Sequence, residues 1–113
     1  KALNHIDFSE DGRIAWMSLP YDEVKSINAL DFHPEGIINY TRMITGVEVG
    51  LLFRETEPGV VKIGFRSKGP INVAAIAQEF NGGGHRQAAG ARQEGRLEEV
   101  REQVIKMVKD VIS

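Results

Sequence analysis

The most unusual feature of this sequence is a run of glycines followed by two side chains with N–H donors: Gly82, Gly83, Gly84, His85 and Arg86. Consecutive glycines cost backbone entropy on folding, but they can reach positive φ and let the backbone approach a ligand closely. Successive N–H groups that point into one hollow bind anions. We expect residues 85–89 to form a short helical turn ending at Gly90, whose N-terminus would add donors. The run therefore predicts a phosphate site, and the alternative is a loop that only needs sharp turns.

The distribution of charge supports a local anion site. The 113-residue chain has a formal net charge of −2, which argues against a general polyanion binder. Residues 54–92 contain three acids, Glu55, Glu57 and Glu79, and a larger number of basic side chains. These are Arg54, Lys62, Arg66, Lys68, Arg86 and Arg92. A positive middle in an acidic protein indicates one anion site rather than a basic coat, unless the segment is positive by chance.

Other kinds of site find little support in the composition. The sequence has no Cys, which excludes disulfides and thiolate metal sites. Its three histidines are His5, His33 and His85, and the first two are expected to be plain surface residues. We find no metal cluster and no pair of nucleophile and base. Apolar runs are too short for a membrane span, and no secretory signal is visible, so a cytoplasmic protein is expected. Because the chain begins at Lys1, it is expected to be a processed or excised piece.

Hydrophobic patterning in the first half predicts a strand and two helices. Residues 13–19 are almost continuously apolar, which is typical of a buried strand. Residues 21–29 predict a short helix. Pro34 suits the first turn of a second helix, which Gly46 would end with a left-handed cap.

The middle and the end of the chain predict a hairpin and two more helices. Residues 47–54 and 60–66 are the clearest strands, joined by a turn, and in the second Lys62, Gly64 and Arg66 face away from the core. Asn72 is a suitable N-cap for a helix over residues 73–80. Residues 97–112 predict an amphipathic C-terminal helix. The whole indicates a single small α/β domain with a central mixed sheet, a β-hairpin and packed helices.

Four segments of this sequence resemble the DHH-associated (DHHA) domain, the C-terminal domain of DHH-family phosphoesterases. Residues 80–90 look like its glycine-rich signature, and residues 65–73 resemble the arginine-serine loop upstream of it. Residues 35–40 and 46–49 are similar to the nanoRNase branch, whose members degrade short oligonucleotides and often dephosphorylate 3′-phosphoadenosine 5′-phosphate. The resemblance covers roughly residues 20–112.

The resemblance implies that this chain is the substrate-binding half of a larger enzyme. Catalysis would belong to an N-terminal DHH domain that carries Asp and His ligands for manganese, and residues 1–12 would be a linker from it. This chain alone is then expected to be inactive and to contain no catalytic residue. Arg66 would pair with phosphate, Ser67 would add a hydroxyl donor, and the backbone of Gly82, Gly83 and Gly84 would cradle the anion. His85 would donate to the phosphate, and Arg86 is a weaker candidate.

Two other functions stay open from the sequence. One is a non-catalytic nucleic-acid-binding module, like the related domain of alanyl-tRNA synthetases, and the other is a domain that serves assembly. The context of His85 and the arginine-serine loop favour the phosphoesterase. The sequence does not distinguish RNA, DNA, polyphosphate or cyclic dinucleotides as substrates, and it leaves substrate length and oligomeric state open.

Overall fold

The computed structural model describes residues 6–28 and 34–112 of the chain. Over these residues the strands are β1 (Asp7–Phe8), β2 (Ile14–Leu19), β3 (Val49–Glu57), β4 (Val60–Ser67), β5 (Gly83–His85) and β6 (Ala88–Glu94). The helices are α1 (Tyr21–Asn28), α2 (Pro34–Met43), α3 (Val73–Gln78) and α4 (Leu97–Ile112). No helix in this part of the chain is long and apolar enough to span a membrane.

All the strands belong to one mixed sheet in the order β1-β2-β3-β4-β6-β5. Only β2 and β3 are parallel, as expected for strands whose connection contains two helices. β3 and β4 form the predicted hairpin, and β5 and β6 form a second hairpin at the edge. The α/β class, the mixed sheet and the C-terminal helix are therefore confirmed.

One face of the sheet is covered by α3 and α4. The main hydrophobic core joins Leu51, Phe53 and Phe65 of the central strands to these helices. The helices contribute Val73, Ile76, Ala77, Leu97, Val100, Val104, Ile105 and Val108. In α4 the predicted apolar stripe is buried at Leu97, Val100, Val104 and Val108, whereas its last member, Val111, is exposed and Ile105 is buried in addition. Asn72 caps α3 as predicted, because its side-chain oxygen accepts a hydrogen bond from the Ala75 N–H at 3.3 Å.

The other face of the sheet is covered only in part. Val24 of α1 and Ile38 of α2 pack on Met17, Leu19 and Leu52, which belong to β2 and β3. The helix α1 is also tied to β3, since the Tyr21 N–H donates to Glu55 at 3.0 Å. On the side of β4, β6 and β5, this face lies open. On this face, the helices therefore cover the half formed by β2 and β3 and leave the half formed by β4, β6 and β5 uncovered.

The segment after the glycines differs from its prediction. Residues 85–89 were expected to form a helical turn, but His85 ends β5 and Ala88 begins β6, with a two-residue turn between them. Ala88, Ala89 and Gly90 have low strand propensity, yet β6 pairs with β4 over its whole length. Pairing with a strand that is already buried overrides the local preference. The short strand β1 also falls within the segment predicted as a linker, whereas His5, His33 and Ala29 lie outside the described residues.

Candidate functional site

A groove of about 690 Å³ lies on the open half of the sheet, within the usual size range of ligand pockets. Its walls and floor come from β3, β4, β6 and β5, with Ile38 of α2 at one side. Four of the six basic residues of the positive middle segment line it, and these are Arg54, Lys62, Arg66 and Arg92. Among the residues that the structure describes, no acidic side chain lines the groove. The arrangement favours an anion.

Strand register places the groove residues in three parallel rows. Residues that face each other across neighbouring strands share one face of the sheet. The first row is Arg54, Lys62 and Arg92. The second is Leu52, Gly64, Gly90 and Gly83. The third contains Arg66, Ala88 and His85. Cations thus stand on both sides of a central row that is mostly glycine.

Arg54 is a half-buried cation of the groove. This burial lowers the pKa of its guanidinium below the ordinary value. Within the described part of the chain, no carboxylate forms an ion pair with it. A desolvated cation without a counter-ion gains more from an incoming anion than a fully solvated one does.

Arg66 and His85 lie at the opposite end of the groove. Arg66 is half-buried, and one guanidinium nitrogen donates to its own neighbour, the Phe65 carbonyl, at 2.9 Å. His85 is exposed and lines the groove from the last residue of β5. Both were predicted as phosphate contacts, and the fold places them on the two strands that flank β6, each opposite Ala88.

The three glycines have different surroundings. A Cβ on Gly82 would lie 2.1 Å from the Gly90 carbonyl oxygen, and one on Gly84 would lie 2.6 Å from the Ala88 oxygen. Gly84 also has a φ of +146°, whereas Gly82 and Gly83 do not have positive φ. A Cβ on Gly83 would have no atom within 4 Å. Both Gly83 and Gly84 line the groove. The close approach required by Gly82 and Gly84 is to β6, which is a structural role.

Ser67 and Arg86 hold a loop rather than line the groove. Ser67 is fully buried, and its hydroxyl lies 2.7 Å from the Ile71 carbonyl oxygen and 3.3 Å from that of Arg86. Arg86 is exposed in the turn between β5 and β6, and its guanidinium donates to the Pro70 carbonyl at 3.2 Å. These contacts fasten the loop after β4 to the turn of the glycine hairpin. Neither side chain is among the lining residues of the groove, so the contact with a ligand predicted for Ser67 and Arg86 stays a prediction.

The described residues do not fit a metal centre. In residues 6–28 and 34–112, no three His, Cys, Asp or Glu side chains come together as a group that could hold a metal ion. None of these described residues is therefore assigned as a metal ligand.

Sequence reasoning did not select Arg54, Lys62 and Arg92 as site residues. The available signal was the alternation of β4, which puts Lys62 on the same face as Arg66. With the predicted hairpin, that alternation also places Arg54 opposite Lys62. Arg92 could not be found in this way, because its strand was not predicted.

Comparison with known proteins identifies related domains. The DHHA1 domain family matches residues 34–113. The bifunctional oligoribonuclease and PAP phosphatase NrnA of Bacillus subtilis (strain 168) is 29% identical over 89 residues. This match covers 79% of the present chain and 28% of NrnA, so the chain spans less than a third of that relative.

Solved structures share the fold. The crystal structure of an exopolyphosphatase-related protein from Bacteroides fragilis superposes with a TM-score of 0.75 and 29% identity, over 97% of this chain and 31% of that one. The C-Ala domain of alanyl-tRNA synthetase from Aquifex aeolicus superposes with a TM-score of 0.66 and 12% identity, over 95% of this chain and 98% of that domain. At the latter identity the likeness concerns the fold alone.

Proposed function

The chain belongs to the DHHA1 domain family, and on this premise we propose that it is the substrate-binding part of a phosphoesterase. The groove holds the phosphate of a short oligonucleotide or nucleoside phosphate. Hydrolysis would belong to a DHH domain outside this sequence, and manganese bound there would supply the metal chemistry for activating water. The observation that carries the proposal is a groove on the uncovered half of the sheet, whose described lining residues include four cations and no acid.

Phosphate binding is assigned first to Arg66 and His85. A guanidinium donates charge-assisted hydrogen bonds to phosphate oxygens, and it can do so with two nitrogens at once. His85 adds a ring N–H donor from the neighbouring edge of the sheet. β5 is the last strand of the sheet, so the outer edge of Gly83 and Gly84 offers backbone groups that pair with no further strand.

The relatives support a phosphate ester as the ligand. NrnA is named as an oligoribonuclease and PAP phosphatase, and it aligns with most of this chain. The groove is lined by no Phe, Tyr or Trp within residues 6–28 and 34–112. Proteins that bind long single strands usually stack bases on such side chains. A short ligand therefore suits this groove better than a long track.

A titration with adenosine 5′-monophosphate tests the proposal. We expect amide NMR shifts at Gly83–His85 and around Arg66, and none concentrated on α4. Arg66→Gln should weaken binding at least about tenfold, because one charge-assisted hydrogen bond contributes roughly 1.5–3 kcal/mol. The matched control is Lys106→Gln, which removes one positive charge from the exposed side of α4.

His85 provides a second arm of the same test. Since the side chain is exposed, His85→Ala should change the free energy of unfolding by no more than about 0.5 kcal/mol while weakening nucleotide binding. Shifts confined to α4, or equal affinity of Arg66→Gln and Lys106→Gln, would contradict the proposed function.

The second candidate is a nucleic-acid-binding module without a catalytic partner. It is favoured by the fold shared with almost the whole C-Ala domain. The two functions differ in how affinity depends on ligand length. A module should bind an oligonucleotide of about ten nucleotides much more tightly than a dinucleotide, since single-strand sites extend over several nucleotides. The proposed substrate-binding groove should reach its full affinity with the short ligand.

A further inference from the structure

We propose that Arg54, Lys62 and Arg92 form a second phosphate subsite, which selects ligands with a phosphate at a distance from the one held by Arg66 and His85. This inference rests on the proposed function and deepens it. It assigns the groove to dinucleotides and longer 5′-phosphorylated ligands in preference to nucleoside monophosphates. We call Arg54, Lys62 and Arg92 the cation row.

The register of the sheet makes the cation row unfavourable in the absence of a ligand. Arg54 lies opposite Lys62, and Lys62 lies opposite Arg92, on three adjacent strands. Directly opposed residues in antiparallel strands have Cβ atoms about 4.5–5.5 Å apart, and like charges in such pairs are destabilising. Sequences keep a locally unfavourable arrangement mainly where function requires it. An anion between these side chains would remove the repulsion.

No carboxylate of the described residues neutralises the cation row. Glu55 follows Arg54 but accepts hydrogen bonds from the N–H groups of Tyr21 and Gly59, at the end of the hairpin. Glu94 lies two residues after Arg92 on β6, yet it forms no ion pair with Arg92 or Lys62. Within the cation row, the guanidinium of Arg54 is partly desolvated and has no counter-ion among the described residues.

The cation row is separated from Arg66 along the strand. Lys62 and Arg66 are four residues apart on β4, which places their Cα atoms about 13 Å apart at the usual strand rise. One guanidinium nitrogen of Arg66 donates to the Phe65 carbonyl, at the end of β4 that lies away from Lys62. The two groups of cations therefore suit two separate phosphates better than a single one.

The floor between the two groups is bare backbone. Gly64, Gly90 and Gly83 lie side by side in the central row. At Gly83 a Cβ would meet nothing within 4 Å, and at Gly90 it would make only an ordinary 3.5 Å contact. Neither has positive φ, so packing and backbone conformation do not demand glycine there. A side chain at either position would stand in the groove, where the sugar or base between two phosphates would lie.

Binding of two ligands to two double variants tests the subsite. The ligands are adenosine 5′-monophosphate and 5′-phosphorylated diadenylate, each titrated into the 113-residue chain by calorimetry. The test variant is Lys62→Gln/Arg92→Gln, in which both altered side chains are exposed. The control is Lys106→Gln/Lys109→Gln, which makes the same change of charge on α4. Melting temperatures establish that both variants remain folded.

The subsite predicts unequal losses. The test variant should bind the dinucleotide at least about tenfold more weakly than the unaltered chain, as expected for lost charge-assisted bonds. Its affinity for the monophosphate should stay within about twofold, and the control should stay within about twofold for both ligands. Equal losses for both ligands would mean one merged anion site and would overturn the subsite. Unchanged dinucleotide binding would overturn it as well.

The monophosphate arm separates this inference from the proposed function. If Arg66→Gln weakens binding of the monophosphate while Lys62→Gln/Arg92→Gln leaves the dinucleotide unaffected, the function stands and the subsite fails. If binding of the monophosphate does not depend on Arg66, the proposed function itself fails, and the subsite fails with it.

Discussion

Gly82, Gly83 and Gly84 are adjacent in sequence but are required for different reasons. At Gly82 and Gly84 a Cβ would meet the backbone of β6 at distances that real Cβ atoms do not adopt. At Gly83 the space above the strand is open and belongs to the groove. The run therefore combines two glycines needed for close strand pairing with one whose missing side chain leaves room for a ligand.

These surroundings predict opposite effects of two alanine substitutions. Gly83→Ala should leave the melting temperature unchanged or raise it, since removing backbone freedom from the unfolded chain contributes about 0.4–1 kcal/mol where the conformation allows. Gly84→Ala should destabilise the protein by about 1–3 kcal/mol, because its positive φ strains any other residue and its Cβ meets Ala88. Thermal melting of both variants checks this.

Nucleotide binding completes the comparison of the two glycines. Gly83→Ala should weaken binding of adenosine 5′-monophosphate without loss of stability, because the methyl group stands in the groove. A Gly83→Ala protein that melts well below the unaltered chain would show that Gly83 is needed for folding, and our account of the groove floor would then be wrong.

At the scale of the elements, the loop after β4 and the turn between β5 and β6 are joined. The Ser67 hydroxyl and the Val73 N–H both approach the Arg86 carbonyl, and the Gln87 side chain donates to the Gly69 carbonyl at 3.0 Å. Arg66 precedes this junction on β4, and His85 precedes it on β5. The junction thus helps to fix the positions of Arg66 and His85 relative to each other.

Ser67→Ala tests whether the hydroxyl positions the loop or binds the ligand. Loss of the buried hydrogen bond from the Ser67 hydroxyl to the Ile71 carbonyl should cost about 1–3 kcal/mol, seen as a lower midpoint in urea unfolding. Nucleotide affinity of the folded variant should fall much less than in Arg66→Gln. Ser18→Ala, at a half-buried serine of β2, is the control. Unchanged stability with lost binding would instead support the donor role predicted from sequence.

At the scale of the whole molecule, the groove and the net charge of the chain have opposite signs. The chain has a net charge of −2, yet the groove is lined by four cations. The helix α4, on the opposite face, carries Glu98 and Glu99 in its first turn. An anionic ligand is therefore attracted to the groove side of an acidic protein. A uniform basic coat would attract it to every side.

Salt should weaken binding in spite of the negative net charge. For 5′-phosphorylated diadenylate, the logarithm of the association constant should fall with the logarithm of salt concentration, with a slope of about −0.7 for each phosphate contacted. Titrations between about 0.05 and 0.2 M salt measure this slope. An affinity that does not change with salt would indicate that the ligand is held without phosphate contacts.

Local patterns in the sequence determined most of the elements. The apolar run of β2, the alternation of β4 and the stripe of α4 each predict an element that the structure contains. The Asn72 cap was also predictable, because a helix N-terminus needs a side-chain acceptor within its own first turn. The glycine run predicted a phosphate site by residue type, and the resemblance to the DHHA domain added Arg66 to it. All of these are properties of a few consecutive residues.

The β3–β4 hairpin was predictable, but only the tertiary structure decided that β6 became the second neighbour of β4. β6 is made of alanine, glycine and polar residues, whose local preferences do not specify a strand, and it forms because β4 offers an unpaired edge. That pairing brings Arg92 beside Lys62, which already faces Arg54 across the hairpin. The cation row therefore depends on register between segments far apart in the chain. Hydrophobic periodicity carries no information about register between such segments, so the row appears only when the sheet is assembled.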